Sequence, residues 1–165
     1  MFVLRSIKLR YLKFLIAKHG NKNGVPPELV ARVILQESGC EVFAARYEPA
    51  FFERYIKDNP DLPGYFPKRI PTAATERRLR AFSFGLMQIL GETAREAGFK
   101  HRWLAMLFIP SINVKLGCKI LGKHFRRARG NEETALLKYN GGGNKGYPGQ
   151  VAKQAKNPLY KKLVG

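Results

Sequence analysis

The chain has 165 residues, 45% of them hydrophobic and 12% aromatic, which is enough for a single domain with a substantial core. Thirty Lys and Arg residues against twelve Asp and Glu give a formal net charge of +18 at pH 7. This charge favours polyanionic partners (nucleic acid, anionic membranes or cell-wall polymers) without choosing among them. The spacing of the histidines and cysteines excludes a recognisable metal site, and no cofactor is predicted. Cys40 and Cys118 form either one disulfide or two buried thiols.

The first 24 residues are predicted to form a basic amphipathic helix and a turn. Residues Phe2 to His19 place apolar side chains on one helical stripe: Leu4, Ile7, Tyr11, Phe14 and Leu15. The segment Gly20 to Gly24 is expected to break the helix. Interspersed basic residues exclude both a transmembrane span and a conventional secretory signal. The helix either packs on the domain or lies on an anionic membrane.

The segment Pro26 to Gly39 predicts a helix that presents an acidic group. Two prolines suit its start, and Gly39 suits its end. Val33 and Ile34 lie four and three residues before Glu37, so the carboxyl falls on or beside the apolar face. Partial desolvation and the negative end of the helix dipole should both raise the pKa of Glu37. The pattern fits a general acid, and it also fits a surface glutamate near a helix end.

The middle of the chain is predicted to be irregular between helices. A brief helix is expected at Ala50 to Lys57, and an ordered proline-rich loop at Asp58 to Thr72. Helical character resumes from Thr72 to Phe82, with Thr72 or Thr75 as the cap. The sequence thus predicts one long excursion that still belongs to the domain.

Two polar positions stand out in the second half. Gln88 is the single amide of the apolar stretch SFGLMQIL, so its partner is either internal or a ligand. The helix predicted from Glu132 to Tyr139 ends sharply at Asn140, before three glycines. Such a glycine run either lets the backbone approach a ligand closely or forms a flexible turn.

A longer helix is predicted between these positions. It runs from Ile112 to about Ala128 with Ser111 as its cap, and its core stripe is Ile112, Leu116, Ile120, Leu121 and Phe125. Short helices are expected at Glu92 to Ala97 and in the last fifteen residues, while clear alternating strands are scarce. The expected fold class is a mainly α single domain.

Three motifs then occur together in one order: QESG around Glu37, GLMQI from Gly85 to Ile89, and LLKYNGG from Leu136 to Gly142. This set resembles the catalytic domain of the soluble lytic transglycosylases, which is related to goose-type lysozyme. The resemblance covers about Val25 to Tyr160, and the stretches RYEP and TERRLRAFSFGLMQ resemble a phage-associated and bacterial branch. Cys40 and Leu90 depart from the usual pattern, and neither carries proton chemistry.

The resemblance implies a fold, a substrate and a set of site residues. It implies a lysozyme-like domain over residues 25–165, with a cleft between two lobes. The implied substrate is peptidoglycan, cut between N-acetylmuramic acid and N-acetylglucosamine. Glu37 corresponds to the catalytic glutamate; Ser38, Gln88, Tyr139 and Asn140 correspond to substrate-binding positions. Tyr139 is also expected to hold Glu37 by a hydrogen bond.

The reaction that this resemblance favours is lytic transglycosylation, in which one glutamate acts as acid and then as base to give a 1,6-anhydro product. The alternative is a muramidase, which needs a second carboxylate. Glu48 and Glu76 are the candidates for that carboxylate, although each can instead pair with a nearby arginine such as Arg46, Arg77 or Arg78.

A basic binding module for nucleic acid or the cell wall is the non-enzymatic alternative, although no nucleic-acid recognition motif is present. A monomer is expected, acting on peptidoglycan in the periplasm or cell wall and contacting anionic membrane. Without a conventional signal peptide, the expected routes are phage release, a virion, or non-classical export.

Overall fold

The computed structural model describes residues 8–68 and 71–165, and this part of the chain is mainly helical, as predicted. The α-helices in chain order are α1 Leu9–Asn23, α2 Pro27–Ser38, α3 Pro49–Phe51, α4 Ala73–Arg80, α5 Gly91–Glu96, α6 Pro110–Arg127, α7 Glu132–Tyr139, α8 Tyr147–Lys153 and α9 Pro158–Val164. The strands are β1 Ala45–Tyr47, β2 Phe82–Phe84 and β3 Ile89–Leu90. A π-helical turn, Phe52–Ile56, continues α3, and 3-10 turns occupy Leu104–Phe108 and Gln154–Lys156.

One continuous hydrophobic core lies among α1, α2, α6 and the helices that follow α6. Helix α6 is central, since it packs against α1 on one side and α7 on another. A smaller cluster around Phe52, Ile56 and Ala81 supports the excursion between α2 and α4. The excursion is therefore packed on the domain, as the sequence predicted.

Helix α2 follows the prediction closely. Pro27 occupies the first turn, where its missing N–H costs nothing, and Gly39 ends the helix at φ +58°. Val33 and Ile34 are fully buried, so the last turn of α2, with Glu37, lies at the edge of the core.

Helix α1 differs from its prediction in length and in buried face. It continues through Gly20 to Asn23. A Cβ at position 20 would be 2.9 Å from the Val25 carbonyl oxygen, so glycine occupies this position for lack of room and not to break the helix. The buried face consists of Leu12, Leu15, Ile16, His19 and Gly20.

The predicted stripe of α1 was wrong for its two aromatic members. Tyr11 and Phe14 are 45% and 54% exposed, and Leu15 is buried as predicted. Leu4 and Ile7 lie outside the described residues. Within the described ranges, no helix combines the length and apolar character needed to span a membrane.

Helix caps are confirmed at one predicted site and corrected at another. The Thr72 hydroxyl accepts from the Thr75 amide at 3.3 Å and caps α4. Helix α6 begins at Pro110, one residue before the predicted Ser111 cap, since proline suits the first helical position. Leu116, Ile120 and Leu121 are buried as predicted, while Ile112 and Phe125 are half-buried at the edge.

The sheet is small and positions the segment between β2 and β3. Its order is β1-β2-β3, with both pairs antiparallel, and Ser83 lies opposite both Arg46 and Leu90. Strands of two or three residues are too short to produce an alternating pattern, so no clear strand signal is visible in the sequence.

Four charged side chains form a buried network behind the sheet. Arg95 binds both oxygens of Glu76, at 2.7 and 3.0 Å. Arg80 contacts Glu76 at 3.3 Å and Glu92 at 2.9 Å. The spare guanidinium donors bind backbone carbonyls of the Pro63–Tyr65 and Phe99–His101 segments, so the network anchors two loops.

Both cysteines are buried free thiols. Burial raises the pKa of Cys40 to about 11 and that of Cys118 to about 12. Both thiols are therefore protonated and unreactive at neutral pH.

Candidate active site

A cleft of about 620 Å³ runs between the sheet excursion and the helical core. One wall comes from β1, α3 and the π-turn, and the other from α6 and residues 139–144. The end of α2 and residues 88–93 complete the lining. Glu37, Gln88, Tyr139 and Asn140, which are far apart in sequence, all line this cleft.

Glu37 is the acidic group that the core holds against the cleft. Burial raises its pKa, and the Tyr147 hydroxyl and the charge of Arg46 partly oppose this. The direction agrees with the expectation from the sequence. A carboxyl whose pKa is raised keeps its proton closer to neutral pH, which suits it to donate a proton.

Tyr147 donates a hydrogen bond to Oε1 of Glu37 at 2.5 Å, a contact that the sequence analysis missed. The expectation assigned this role to Tyr139, but the Tyr139 hydroxyl donates instead to the Met87 carbonyl at 2.8 Å. Tyr147 is the first residue of α8, shortly after the glycine loop Gly141 to Gly143, and is 3% exposed. Its position between Gly146 and Pro148 at a helix start was the one available signal.

Tyr139 and Asn140 lie where α7 ends and the glycine loop begins. Asn140 follows the last residue of α7 and lines the cleft. Gly141 and Gly142 have φ of +79° and +81°, so the chain turns here through backbone conformations that favour glycine. This turn presents the Asn140 amide to the cleft and leads the chain on towards Tyr147.

Gln88 lies in the cleft with φ +43°, an uncommon value for a residue with a side chain. Its Nε2 donates to the carbonyls of Ala44 at 3.0 Å and Gly85 at 2.9 Å. These bonds lock the amide, and no donor in the described parts of the chain reaches its Oε1. The oxygen is therefore free to accept from a ligand.

Asn113 is a fully buried amide that holds the Gly85–Gln88 turn from behind. Its Nδ2 donates to the carbonyls of Phe84 and Leu107, each at 2.8 Å. Its Oδ1 accepts from the Met87 amide at 2.9 Å. Asn113 is a positioning residue that the sequence analysis missed, because a single asparagine in a helix resembles a surface residue.

Ser38, predicted to bind substrate, is not among the residues that line the cleft. Its hydroxyl contacts the Leu86 carbonyl at 2.9 Å and the Ile34 carbonyl at 3.2 Å. Ser38 therefore ties the end of α2 to the turn that carries Gln88. It fixes the spacing between Glu37 and Gln88 without reaching the cleft itself.

The two candidates for a second carboxylate, Glu48 and Glu76, lie in different places in the structure. Glu48 lines the cleft and pairs with Arg46 at 2.5 Å. Glu76 is fully buried outside the cleft and pairs with Arg80 and Arg95. Its expected arginine partners, Arg77 and Arg78, are thus replaced by two others. Glu76 cannot serve as a second carboxylate, because no substrate reaches it.

Comparison with known proteins identifies the family. The family model for the transglycosylase SLT domain matches residues 14–162. The chain belongs to the transglycosylase SLT domain family. The family resemblance predicted from the three motifs is therefore confirmed.

A solved structure matches this SLT domain in fold. It is an inactive mutant of the lytic transglycosylase Slt from Pseudomonas aeruginosa, with a TM-score of 0.54 and 17% sequence identity. The match covers 92% of this chain and 20% of the other, so this SLT domain spans about a fifth of that protein's length. No curated protein matches the chain significantly.

Proposed function

We propose that the chain is a lytic transglycosylase that cleaves peptidoglycan at the β-1,4 bond between N-acetylmuramic acid and N-acetylglucosamine. The observation that carries the proposal is Glu37, a carboxyl with a raised pKa that lines the cleft of an SLT domain and accepts a hydrogen bond from Tyr147. The proposed enzyme acts as a monomer in the cell wall or periplasm, where peptidoglycan lies.

In the proposed first step, protonated Glu37 gives its proton to the glycosidic oxygen. The bond from that oxygen to the muramoyl C1 breaks, and positive charge develops at C1 in an oxocarbenium-like transition state. Tyr147 remains bonded to Oε1 throughout, because burial and the nearby Glu37 charge raise the pKa of the Tyr147 phenol and keep its proton in place.

In the proposed second step, the Glu37 carboxylate takes the proton of the muramoyl C6 hydroxyl. The C6 oxygen then attacks C1 and closes the 1,6-anhydro ring, so no water is consumed. One carboxyl suffices, as acid first and base second. Gln88 Oε1 and the Asn140 amide are the proposed contacts to the sugar N-acetyl and hydroxyl groups; Tyr139 holds the turn between them.

The alternative reaction is hydrolysis by a muramidase, which one observation keeps open: Glu48 lines the same cleft as Glu37. A hydrolase needs such a second carboxylate to activate water or to attack the sugar. The ion pair between Glu48 and Arg46 favours the transglycosylase, because the Glu48 carboxylate is already engaged by a guanidinium.

Mass spectrometry of the muropeptides released from purified peptidoglycan tests the proposal. Wild type is expected to release products lighter by one water than reducing-end muropeptides, and Glu37→Gln is expected to release none. Glu48→Gln is the matched control within the cleft and should keep the anhydro products. Reducing-end products that disappear with Glu48→Gln would establish the muramidase. If wild type released no muropeptides, the enzymatic proposal would be contradicted and the non-enzymatic binding module would remain.

We further propose that the exposed side of α1 contacts anionic membrane. Tyr11 and Phe14 are exposed there among basic residues, and Lys18 lies 5.3 Å from the Phe14 ring. Aromatic side chains beside lysines suit a lipid headgroup layer. Sedimentation with phosphatidylglycerol vesicles should weaken when both aromatics are replaced by serine. Equal sedimentation of the double variant and wild type would contradict the contact.

A further inference from the structure

A second cavity of about 350 Å³ is lined by residues other than those of the cleft. Its walls are the end of α1, the segment from Ala97 to His101, and the first half of α6. The two cavities share no lining residue: Thr93 and Ile120 line the cleft, while Lys115 and Leu116 line this cavity. Its volume is within the range of small-molecule sites.

Apart from Asn23, the polar side chains that line this cavity are all basic. Lys22, Lys100, Lys115 and Lys119 line it together with His19 and His101. No Asp or Glu of the described residues is part of the lining. Four cations around a concave surface repel one another, and an anion bound among them would relieve this repulsion.

His19 is a buried residue of the polar lining. It is 7% exposed, and across residues 8–68 and 71–165 its Nδ1 is the one buried side-chain nitrogen or oxygen without a hydrogen-bond partner. The Nδ1 atom is itself closed off from the cavity, so a ligand there would act on His19 through charge and not by bonding Nδ1. Lys18, Lys22 and Lys115 act on His19 as like charges and, with burial, lower its pKa.

The remaining wall is apolar and suits the carbon part of a ligand. Phe99 and Leu116 are each 8% exposed and line the cavity, as does Ile112. The Phe99 and His101 rings stack with centroids 5.3 Å apart. Lys119 is held in place by donating to the Ala97 carbonyl at 2.7 Å, so one cation is already positioned at the cavity wall.

We propose that this cavity is a second ligand site that takes a phosphate-bearing small molecule. The phosphoryl group lies among Lys22, Lys115 and His19, and the carbon part lies against Phe99 and Leu116. A phosphoryl dianion matches this cluster better than a carboxylate, because a single negative charge would neutralise only one of four lysines. The site is distinct from Glu37 and does not depend on the proposed reaction.

Histidine-resolved NMR with phenyl phosphate, inorganic phosphate and acetate at constant ionic strength tests this site. Phenyl phosphate is expected to shift the His19 signals saturably and to raise the pKa of His19, since a nearby anion favours the charged imidazole. Inorganic phosphate should bind more weakly, because it leaves the apolar wall uncovered, and acetate weakest. His124 is the internal control: its pKa is also lowered by burial and basic neighbours, but it lies outside the cavity.

Matched variants locate the site. Lys115→Gln is expected to weaken phenyl phosphate binding about tenfold, the usual effect of losing one charge-assisted hydrogen bond. Lys123→Gln changes a lysine of the same helix outside the cavity and should have no effect. Lys22→Gln, on α1, repeats the measurement should Lys115→Gln fold poorly. Glu37→Gln should bind as wild type does, whatever its effect on catalysis.

Three results would overturn the proposal. Equal shifts of His19 and His124 would mean general screening by the added salt. Shifts that grow linearly without saturation would mean that there is no site. Acetate binding as tightly as phenyl phosphate would exclude a phosphate-specific cavity.

Discussion

Tyr147 and Glu37, 110 positions apart in the sequence, are joined by a hydrogen bond of 2.5 Å from the phenol to the carboxyl oxygen Oε1. Because the phenol donates, Oε1 is the accepting oxygen and the acidic proton belongs on Oε2. In the proposed reaction, the bond therefore selects the carboxyl oxygen that delivers the proton as well as the side-chain rotamer. The same bond has an opposing effect on acidity, since it lowers the Glu37 pKa that burial raises.

Replacing Tyr147 by phenylalanine is expected to lower the cleavage rate about tenfold or more and to shift its pH profile. Losing a hydrogen bond to a charged group has this order of effect. The Glu37 pKa should rise further, because one of the two opposing influences disappears. The alkaline limb of the profile should therefore move to higher pH, as measured by muropeptide release across pH.

Tyr139→Phe is the matched control for that measurement. Its hydroxyl bonds to the Met87 carbonyl and not to Glu37, so the alkaline limb should stay where it is in wild type. An unmoved limb in Tyr147→Phe, or an equal shift in both variants, would contradict the assigned role of Tyr147.

Glu37→Gln is expected to be more stable than wild type at alkaline pH. The pKa of Glu37 in the folded state is raised above its ordinary value of 4.5. The stability contributed by the protonated carboxyl is therefore fully present below about pH 4.5 and is lost as pH rises through the folded-state value. Thermal unfolding from pH 4 to 9 should show the gap between variant and wild type opening with pH. A gap that is constant with pH would contradict this linkage.

Helix α2, which carries Glu37, and the glycine turn could be predicted because their signals are local. Proline at the start of α2, Gly39 at its end and the apolar face beneath Glu37 all lie within one short segment. The same holds for α7, whose bounds, Glu132 and Tyr139, are those predicted.

The contacts that complete the site are long-range, and the sequence could not predict them. Tyr139 and Tyr147 lie eight positions apart on either side of the glycine loop, and only the path of that loop decides which one reaches Glu37. Asn113, on helix α6, holds the turn that carries Gln88 by hydrogen bonds to the backbone. The sequence of α6 shows that an asparagine is present but does not show which groups it binds. Periodicity predicts a buried face but not the hydrogen bonds made across it.

The buried ion network predicts a large loss of stability for Glu76→Gln. Removing one carboxylate leaves Arg95 and Arg80 with an uncompensated buried charge, which typically costs about 3–5 kcal/mol. Urea unfolding measures this loss. Glu53→Gln, which breaks an exposed pair with Lys57, is the control and should cost less than about 1 kcal/mol. Equal losses in the two variants would contradict the buried network.

Gly117 on α6 is expected to tolerate no side chain. A Cβ there would clash with the fully buried Met87 side chain, whose own Cβ would be 3.0 Å away. Gly117→Ala should therefore destabilise the fold by about 1–3 kcal/mol and, because Met87 precedes Gln88, raise KM. Gly149→Ala in α8, where the added Cβ meets nothing within 4 Å, should be neutral or stabilising by up to about 1 kcal/mol. Denaturant titration of both variants measures the stability change, and kinetics measures KM. An unchanged KM in folded Gly117→Ala would contradict the coupling between Met87 and substrate binding at Gln88.

The charge left outside the buried network governs how the molecule moves over its surroundings. Two arginines and two glutamates cancel one another inside, so the formal charge of +18 is carried by the rest of the chain. The network withdraws equal numbers of positive and negative groups from the surface, so the full excess of positive charge remains there to attract polyanions. A molecule with this surface should dwell on an anionic matrix and hop between neighbouring strands instead of escaping into bulk solvent. Ionic strength would then set how far it travels between encounters.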